Sequence, residues 1–144
     1  DEMLAAAQDA LPADIAVFAA AVADWKPKQA ATEKLKKTAD EDELNMSFVK
    51  NPDILATLAN GKKRPKLVIG FAAETENVVK NAQKKREKKN ADWILANDVS
   101  DGAVFGEASN TVTLVSETGA EEWPKMTKDQ VAARLVDAIA ATLK

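Results

Sequence analysis

The sequence predicts an α/β fold in which helices cover both faces of a parallel sheet. Two continuous apolar runs, residues 15–20 and 67–71, are typical of strands that are buried on both faces. Segments with helical periodicity alternate with these runs, and this alternation indicates parallel strands joined by helices. Near the end of the chain, residues 111–115 and 121–123 flank a turn-forming sequence and predict a β-hairpin. The predicted domain is therefore Rossmann-like, with three layers and a C-terminal hairpin extension.

Four helices are predicted from apolar residues at helical spacing and from capping signals. In the second helix, we expect Asn51 to be the cap, Pro52 to occupy the first helical position and Asp53 to complement the positive end of the helix dipole. In the fourth helix, Thr127 lies three residues before Gln130, which is the spacing of a capping box. The predicted helices span residues 1–10, 51–61, 75–90 and 127–143.

Two further segments are predicted to be strands. Residues 44–49 alternate apolar and polar side chains, as a half-exposed strand does, and residues 93–96 form a short apolar run. Residues 22–43 are polar and lysine-rich and show no clear periodicity. Because a connection of this length inside a compact domain is often functional, we interpret it as a functional loop.

The composition limits the chemistry that the chain can perform. With 144 residues, 46% hydrophobic and 30% charged, the chain has the balance of one globular domain. It contains no Cys and no His, which excludes a disulfide, a thiol nucleophile, an imidazole base and a Cys/His zinc site. The net charge of −3 argues against a globally basic nucleic-acid binder. The absence of a signal-like or membrane-spanning segment leads us to expect a cytoplasmic protein without a membrane partner.

Basic residues are nevertheless concentrated in two places. Residues 26–37 contain five lysines and one acid, and residues 80–89 contain six basic residues and one acid. Such clusters in an acidic chain are consistent with sites for anionic ligands, although solvated surface charge is the simpler alternative. On the helix predicted for residues 75–90, Lys85 and Lys89 continue the apolar face that begins at Val78. Lysines on that face must either extend to solvent or meet an anion.

Candidate binding residues also follow the predicted strands, where ligands bind in open α/β sheets. Asp24 comes after a small-residue turn and offers a carboxylate to a metal ion or a hydroxyl group, or is simply exposed. Phe71 is either a core residue or a platform for a base. The five glycines form neither a dinucleotide-binding fingerprint nor a P-loop, so either lysines hold the phosphates or a preceding strand and loop are missing. Together these features favour nucleoside triphosphate chemistry that depends on positioning and charge stabilisation.

Five motifs in series carry a resemblance to a known family. They are Ala-Ala-Ala-Val-Ala-Asp at 19–24, Lys-Leu-Lys-Lys at 34–37, Lys-Asn-Pro-Asp-Ile-Leu at 50–55, Gly-Phe-Ala-Ala-Glu-Thr at 70–75 and Ala-Asn-Asp-Val at 96–99. In this order and spacing they closely resemble bacterial phosphopantothenate–cysteine ligase, the synthetase half of the bifunctional coenzyme A biosynthesis protein. The resemblance implies a reaction in which the carboxylate of 4′-phosphopantothenate attacks the α-phosphate of CTP. An acyl-cytidylate and pyrophosphate form, and the amine of cysteine then displaces CMP.

The resemblance also implies roles for individual residues. Lys34 would be the catalytic lysine, stabilising charge on the reacting phosphate, and Asp24 would contact the nucleotide or its Mg²⁺. Lys85 and Lys89 would hold phosphates. The implied nucleotide-binding residues are Phe18, Ala19, Ala20, Asp24, Lys34, Pro52, Asp53, Ile54, Leu55, Phe71, Lys85 and Lys89.

The chain departs from the family at its start. Family members begin this domain with a strand, a glycine-rich turn and an Asn-x-Ser-Ser-Gly-type segment, so residues 1–144 are expected to be a single CTP-binding ligase domain that lacks that part. The resemblance further implies a homodimer, with residues 111–123 as the candidate contact, and fusion to a flavin-dependent decarboxylase. Two other interpretations stay open: a nucleotide-binding or dimerisation fragment without turnover, and a Rossmann-like scaffold whose lysines are merely solvated.

Overall fold

A computed structural model describes residues 1–29, 45–99 and 109–143. Its elements alternate between helices and strands over most of the chain. In chain order they are α1 (Glu2–Asp9), β1 (Ile15–Phe18), β2 (Trp25–Pro27), β3 (Phe48–Lys50), α2 (Ile54–Ala59), β4 (Leu67–Glu74), α3 (Val78–Lys89), β5 (Trp93–Asp98), β6 (Ser109–Asn110), β7 (Val112–Ser116), β8 (Gly119–Glu122), β9 (Met126–Thr127) and α4 (Lys128–Thr142).

The main sheet has five strands in the order β1-β4-β5-β7-β8. The first three of these strands are parallel, whereas β7 runs antiparallel to β5, and β8 runs antiparallel to β7. The predicted α/β fold and the C-terminal hairpin are confirmed, with the correction that the sheet is mixed. Residues 117 and 118 alone separate β7 from β8, and so short a connection joins only antiparallel neighbours.

Helices cover both faces of this sheet, as predicted. On one face, Leu55 and Ala59 of α2 and Ala82 of α3 pack in one buried cluster with strand residues that include Val68. On the other face, Val131 and Leu135 of α4 pack with Ile69, Leu95 and Trp123. Because side chains alternate along a strand, the neighbours Val68 and Ile69 belong to different clusters. The apolar runs of the sequence are therefore the two-sided interior of the domain.

The starts of two helices differ from the prediction. Asp53, not Asn51, caps α2, because its carboxylate accepts a hydrogen bond of 3.0 Å from the backbone N–H of Ala56. Pro52 therefore lies before the helix. Helix α3 begins at Val78 rather than at residue 75, because β4 continues as a strand to Glu74. The capping box of α4 is confirmed, with Thr127 as its N-cap.

A small second sheet lies outside the main one. Strand β3 pairs antiparallel with β2, with Trp25 opposite Lys50 and Pro27 opposite Phe48. The strand predicted at residues 44–49 is thus shifted, and its partner comes from the segment that we interpreted as a loop. Residues 30–43 of that segment, including Lys34, lie outside the described residues, as does residue 44.

The region predicted for a subunit contact, residues 111–123, includes β8, the strand at one edge of the main sheet. Strand β8 is the last strand in the sheet order, and all four of its residues are exposed, whereas Val112 of β7 is fully buried. A contact there would involve β8 and not the buried side chains of β7; the dimer itself stays a prediction. Within the part of the chain that the structure describes, no helix combines the length and the apolar character needed to cross a bilayer.

Candidate active site

A cavity of about 760 Å³ lies beside β1 and the carboxyl end of β4. Its walls come from α1, from the segment after β1, from the start of α2, from β4 and from α3. Eleven of the twelve predicted nucleotide-binding residues line it, and Lys34 falls outside the described residues. The eleven are Phe18, Ala19, Ala20, Asp24, Pro52, Asp53, Ile54, Leu55, Phe71, Lys85 and Lys89. The structure thus brings these residues to one place, while their binding roles stay predictions.

The small-residue segment after β1 forms one wall. Strand β1 ends at Phe18, so Ala19 and Ala20 lie beyond the strand and are exposed to the cavity. Asn51 fastens the end of this segment. Its side-chain amide donates to the carbonyl of Ala23 at 2.7 Å, and its backbone N–H donates to the carbonyl of Asp24 at 2.8 Å. Asn51 therefore holds the turn that carries Asp24 against the start of α2.

The start of helix α2 forms a further wall, and this helix packs closely on the sheet. A Cβ atom placed on Gly70 of β4 would lie 2.5 Å from Leu55 Cδ1. Glycine at this position therefore allows Leu55, which is both a core and a cavity residue, to lie directly on the strand. Phe71 also has two roles, since it packs against the α4-side core and lines the cavity. The position of Phe71 thus agrees with both interpretations, as a core residue and as a residue at the border of the site.

The two lysines of α3 that line the cavity each meet a carboxylate. Lys85 Nζ lies 2.7 Å from Glu74 Oε1, and Lys89 Nζ lies 3.1 Å from Asp53 Oδ2. The prediction that lysines on this helix face must extend to solvent or meet an anion is satisfied within the protein. An ammonium group has three donors, so a lysine paired with one carboxylate keeps donors for a second anion. The two pairs therefore do not by themselves use all the donors of Lys85 and Lys89.

Asp53 connects the cap of α2 to the lysines of α3. One of its carboxylate oxygens caps α2, and the other pairs with Lys89. The carboxylate is therefore held from two sides. A shift of either helix would change the position of the Lys89 ammonium group.

The acidic side chains at the cavity fit a magnesium ion that is held mainly by a ligand. Across residues 1–29, 45–99 and 109–143, no three carboxylates cluster closely enough to form a complete metal site. Asp24 lines the cavity, is exposed and is therefore available as a single protein ligand. Mg²⁺ commonly binds in this way, through one or two carboxylates, waters and the phosphates of a substrate.

Sequence reasoning missed two features of this site. Glu74, an acid at the end of a buried strand, is the partner of Lys85, and the signal for it was a charged residue directly after an apolar run. Met3 and Ala7 of α1, and Leu11 just after that helix, contribute a wall, although no residue of α1 is buried. No local pattern marked these residues as part of a site.

A family model supplies the decisive comparison. The model of the DNA/pantothenate metabolism flavoprotein C-terminal domain matches residues 1–143. The chain belongs to that family. Among curated members, the coenzyme A biosynthesis bifunctional protein CoaBC of Vibrio vulnificus is 42% identical over 129 residues, covering 89% of this chain and 31% of the relative. CoaBC of Escherichia coli strain K12 is 42% identical over 128 residues, covering 88% and 32% respectively.

Solved structures of the flavoprotein C-terminal domain family agree with the fold. The crystal structure of the C-terminal domain of a CoaBC protein superposes with a TM-score of 0.75 at 35% identity. The match covers 99% of this chain and 61% of the chain in that crystal structure. The DNA/pantothenate metabolism flavoprotein from Streptococcus pneumoniae gives 0.74 at 20% identity, with coverage of 99% and 68%, and supports the fold alone. The chain spans about a third of the length of the curated CoaBC relatives it matches. The resemblance to the synthetase half of that bifunctional protein is confirmed.

Proposed function

We propose that this chain carries the CTP site of a phosphopantothenate–cysteine ligase in coenzyme A biosynthesis. In the first step, the carboxylate of 4′-phosphopantothenate attacks the α-phosphate of CTP, forming the mixed anhydride and releasing pyrophosphate. In the second step, the amine of cysteine attacks the acyl carbon, and CMP leaves as the amide forms. Membership of the flavoprotein C-terminal domain family supports this reaction, since the curated relatives are named coenzyme A biosynthesis proteins.

The observation that carries the proposal is the shared cavity. Eleven residues drawn from four separate segments of the chain line one space of about 760 Å³, which is within the range of pockets for small molecules. Two lysines stand on one wall, and the exposed carboxylate of Asp24 stands on another. An arrangement of cations with one available carboxylate suits a nucleoside triphosphate with its magnesium ion.

Each charged group has a distinct part in this proposal. Lys85 and Lys89 attract and orient the phosphates, and Lys34 stabilises the charge that develops on the α-phosphate. Asp24 would be the protein ligand of Mg²⁺, which neutralises charge on the triphosphate when it is bound. Activation of a carboxylate as a mixed anhydride needs alignment and charge neutralisation, so the lack of His and Cys in the sequence is no obstacle.

Calorimetric titration with CTP and Mg²⁺ tests the nucleotide site. We expect wild-type protein to bind CTP and Lys85→Ala to lose at least tenfold in affinity, since charge-assisted contacts contribute about 1.5–3 kcal/mol. Lys88→Ala is the matched control, because Lys88 is exposed on the same helix and does not line the cavity, and its replacement removes the same charge. Absence of CTP binding, or an equal loss with Lys88→Ala, would contradict the proposal.

A pyrophosphate-release assay separates a ligase from a protein that only binds nucleotide. Protein with CTP, Mg²⁺ and 4′-phosphopantothenate is expected to release pyrophosphate in the first step without cysteine. CTP binding without pyrophosphate release would instead support the interpretation of a nucleotide-binding fragment.

A further inference from the structure

A buried carboxylate stands behind the wall of the cavity. Glu74 is the last residue of β4 and is 8% exposed, and it is not among the residues that line the cavity. Its backbone carbonyl accepts a hydrogen bond of 2.9 Å from Val99, and it lies in register with Asp98 of the neighbouring strand. The carboxylate is therefore attached to a rigid part of the sheet.

Lys85 reaches this carboxylate from α3. Side chains of a helix lean toward its N-terminus, and the start of α3 follows the end of β4, so Lys85 extends back toward Glu74. The ammonium nitrogen lies 2.7 Å from Glu74 Oε1, and among the residues that the structure describes no well-aligned hydrogen-bond donor reaches that oxygen. The side chain of Lys85 is 45% exposed. The ammonium group consequently lies between a buried anion and the open cavity.

We propose that Glu74 is a positioning residue for nucleotide binding, which keeps the Lys85 ammonium group at the cavity wall. This inference rests on the proposed function. A lysine side chain has large rotational freedom, and a ligand that has to order this side chain binds less tightly because the side chain loses conformational entropy. With Glu74 in place that ordering precedes binding, and the donors that Glu74 does not use remain available to a phosphate.

The charge of Glu74 has a second effect that opposes the first. A carboxylate near a triphosphate repels it, so removal of that carboxylate would strengthen binding if repulsion were the larger effect. The direction of the change in affinity therefore decides between positioning and repulsion. Glu74→Gln is a suitable variant, because glutamine has nearly the same shape, and the half-exposed Lys85 can turn to water when its partner is neutral.

Calorimetric titration with CTP and Mg²⁺ measures the effect. We expect Glu74→Gln to weaken binding by about tenfold, as the loss of a supporting partner does elsewhere. Glu74→Asp keeps the charge and should lose less. Glu121→Gln is the matched control, since it breaks the 2.7 Å pair with Arg134, neither of which lines the cavity, and should leave the affinity unchanged.

Two further measurements distinguish positioning from general damage to the fold. In a Lys85→Met background, Glu74→Gln should cause no additional loss of affinity, because its effect passes through Lys85. In nucleotide-free protein, the ¹H–¹⁵N signal of the Lys85 ammonium group should be visible in wild type and broadened by exchange with water in Glu74→Gln. Thermal unfolding checks that every variant is folded.

Each outcome decides the question. Equal or tighter CTP binding by Glu74→Gln, an additional loss in the Lys85→Met background, or an unchanged ammonium signal would overturn the positioning role and leave the proposed function intact. Failure of wild-type protein to bind CTP would instead contradict the proposed function.

Discussion

Replacement of Gly70 by alanine tests the close packing between α2 and the sheet. A Cβ atom at residue 70 would lie 2.5 Å from Leu55 Cδ1 and 2.9 Å from Ile94 Cδ1. Carbon atoms in contact are normally about 3.5–4.0 Å apart, so the new methyl group overlaps its neighbours by roughly 1 Å on the Leu55 side. Ile94 is 2% exposed and has no open space in which to move, and Leu55, which is 8% exposed, can move only toward the cavity that it lines.

The expected cost follows from this overlap. Overpacking of a buried site costs about 1–3 kcal/mol, and for a chain of this size each kcal/mol lowers Tm by about 2–4 °C. We therefore expect Gly70→Ala to lower Tm by several degrees and to reduce the urea midpoint at an unchanged m-value. CTP affinity should also fall, because Leu55 and the start of α2 form a wall of the cavity.

A double-mutant cycle identifies the contact responsible. Leu55→Ala alone is expected to cost about 2–5 kcal/mol, because it leaves a cavity in the core. In combination with Gly70→Ala the loss should be smaller than the sum, because the new methyl group occupies part of the space that Leu55 vacates. Gly61→Ala is the control, since a Cβ atom there would come no closer than 3.3 Å to another atom. Wild-type stability of Gly70→Ala, or strict additivity with Leu55→Ala, would refute this reasoning.

Two further predictions concern a helix cap and a surface ion pair. Thr127→Ala should lower the free energy of unfolding by about 1 kcal/mol in urea denaturation, because the Thr127 hydroxyl accepts a 3.2 Å hydrogen bond from the backbone N–H of Gln130. Thr127→Ser keeps a hydroxyl and should retain most of that stability, so equal losses in the two variants would count against the cap. Lys66 lies 2.8 Å from Asp14, and its hydrogen bond and its charge lower the pKa of Asp14 from the ordinary value of 3.8. Lys66→Met should therefore raise the pKa of Asp14 in a carboxyl NMR titration, and an unchanged pKa would contradict the pairing. Since the folded-state pKa is the lower one, the stabilisation that this carboxylate contributes is present above pH 3.8 and is lost as the pH falls through the folded-state value.

Features that depend on local pattern were predictable from the sequence. The apolar runs around Val68 and Ile69 indicated strands buried on both faces, and the structure assigns these two neighbours to the two opposite cores. Helical spacing also placed Lys85 and Lys89 on the inner side of α3, where they line the cavity. These predictions succeed because periodicity alone determines which side of a helix or strand faces the interior.

Features that depend on contacts between distant segments were not predictable. Strand β2 contains a lysine and a proline and shows no alternation, so only its pairing with β3 identifies it. Asn51 and Asp53 are both residue types that favour a helix N-cap. Asp53 is the cap in the structure, whereas the side-chain amide of Asn51 donates a hydrogen bond to the carbonyl of Ala23, 28 residues earlier. The pairing of Glu74 with Lys85 likewise requires the positions of β4 and α3 in space.

The hydrogen bonds of Asn51 also affect how freely the chain length can vary. The backbone N–H of Asn51 meets the carbonyl of Asp24 at 2.8 Å, so the two chain positions that flank residues 25–50 lie next to each other. Insertions or deletions between Asp24 and Asn51 leave the hydrogen bonds of Asn51 to Ala23 and Asp24 in place, and the entropy of closing a loop varies only slowly with its length. The length of chain between these two residues could therefore vary around Lys34, while the walls of the cavity that the two residues join keep their spacing.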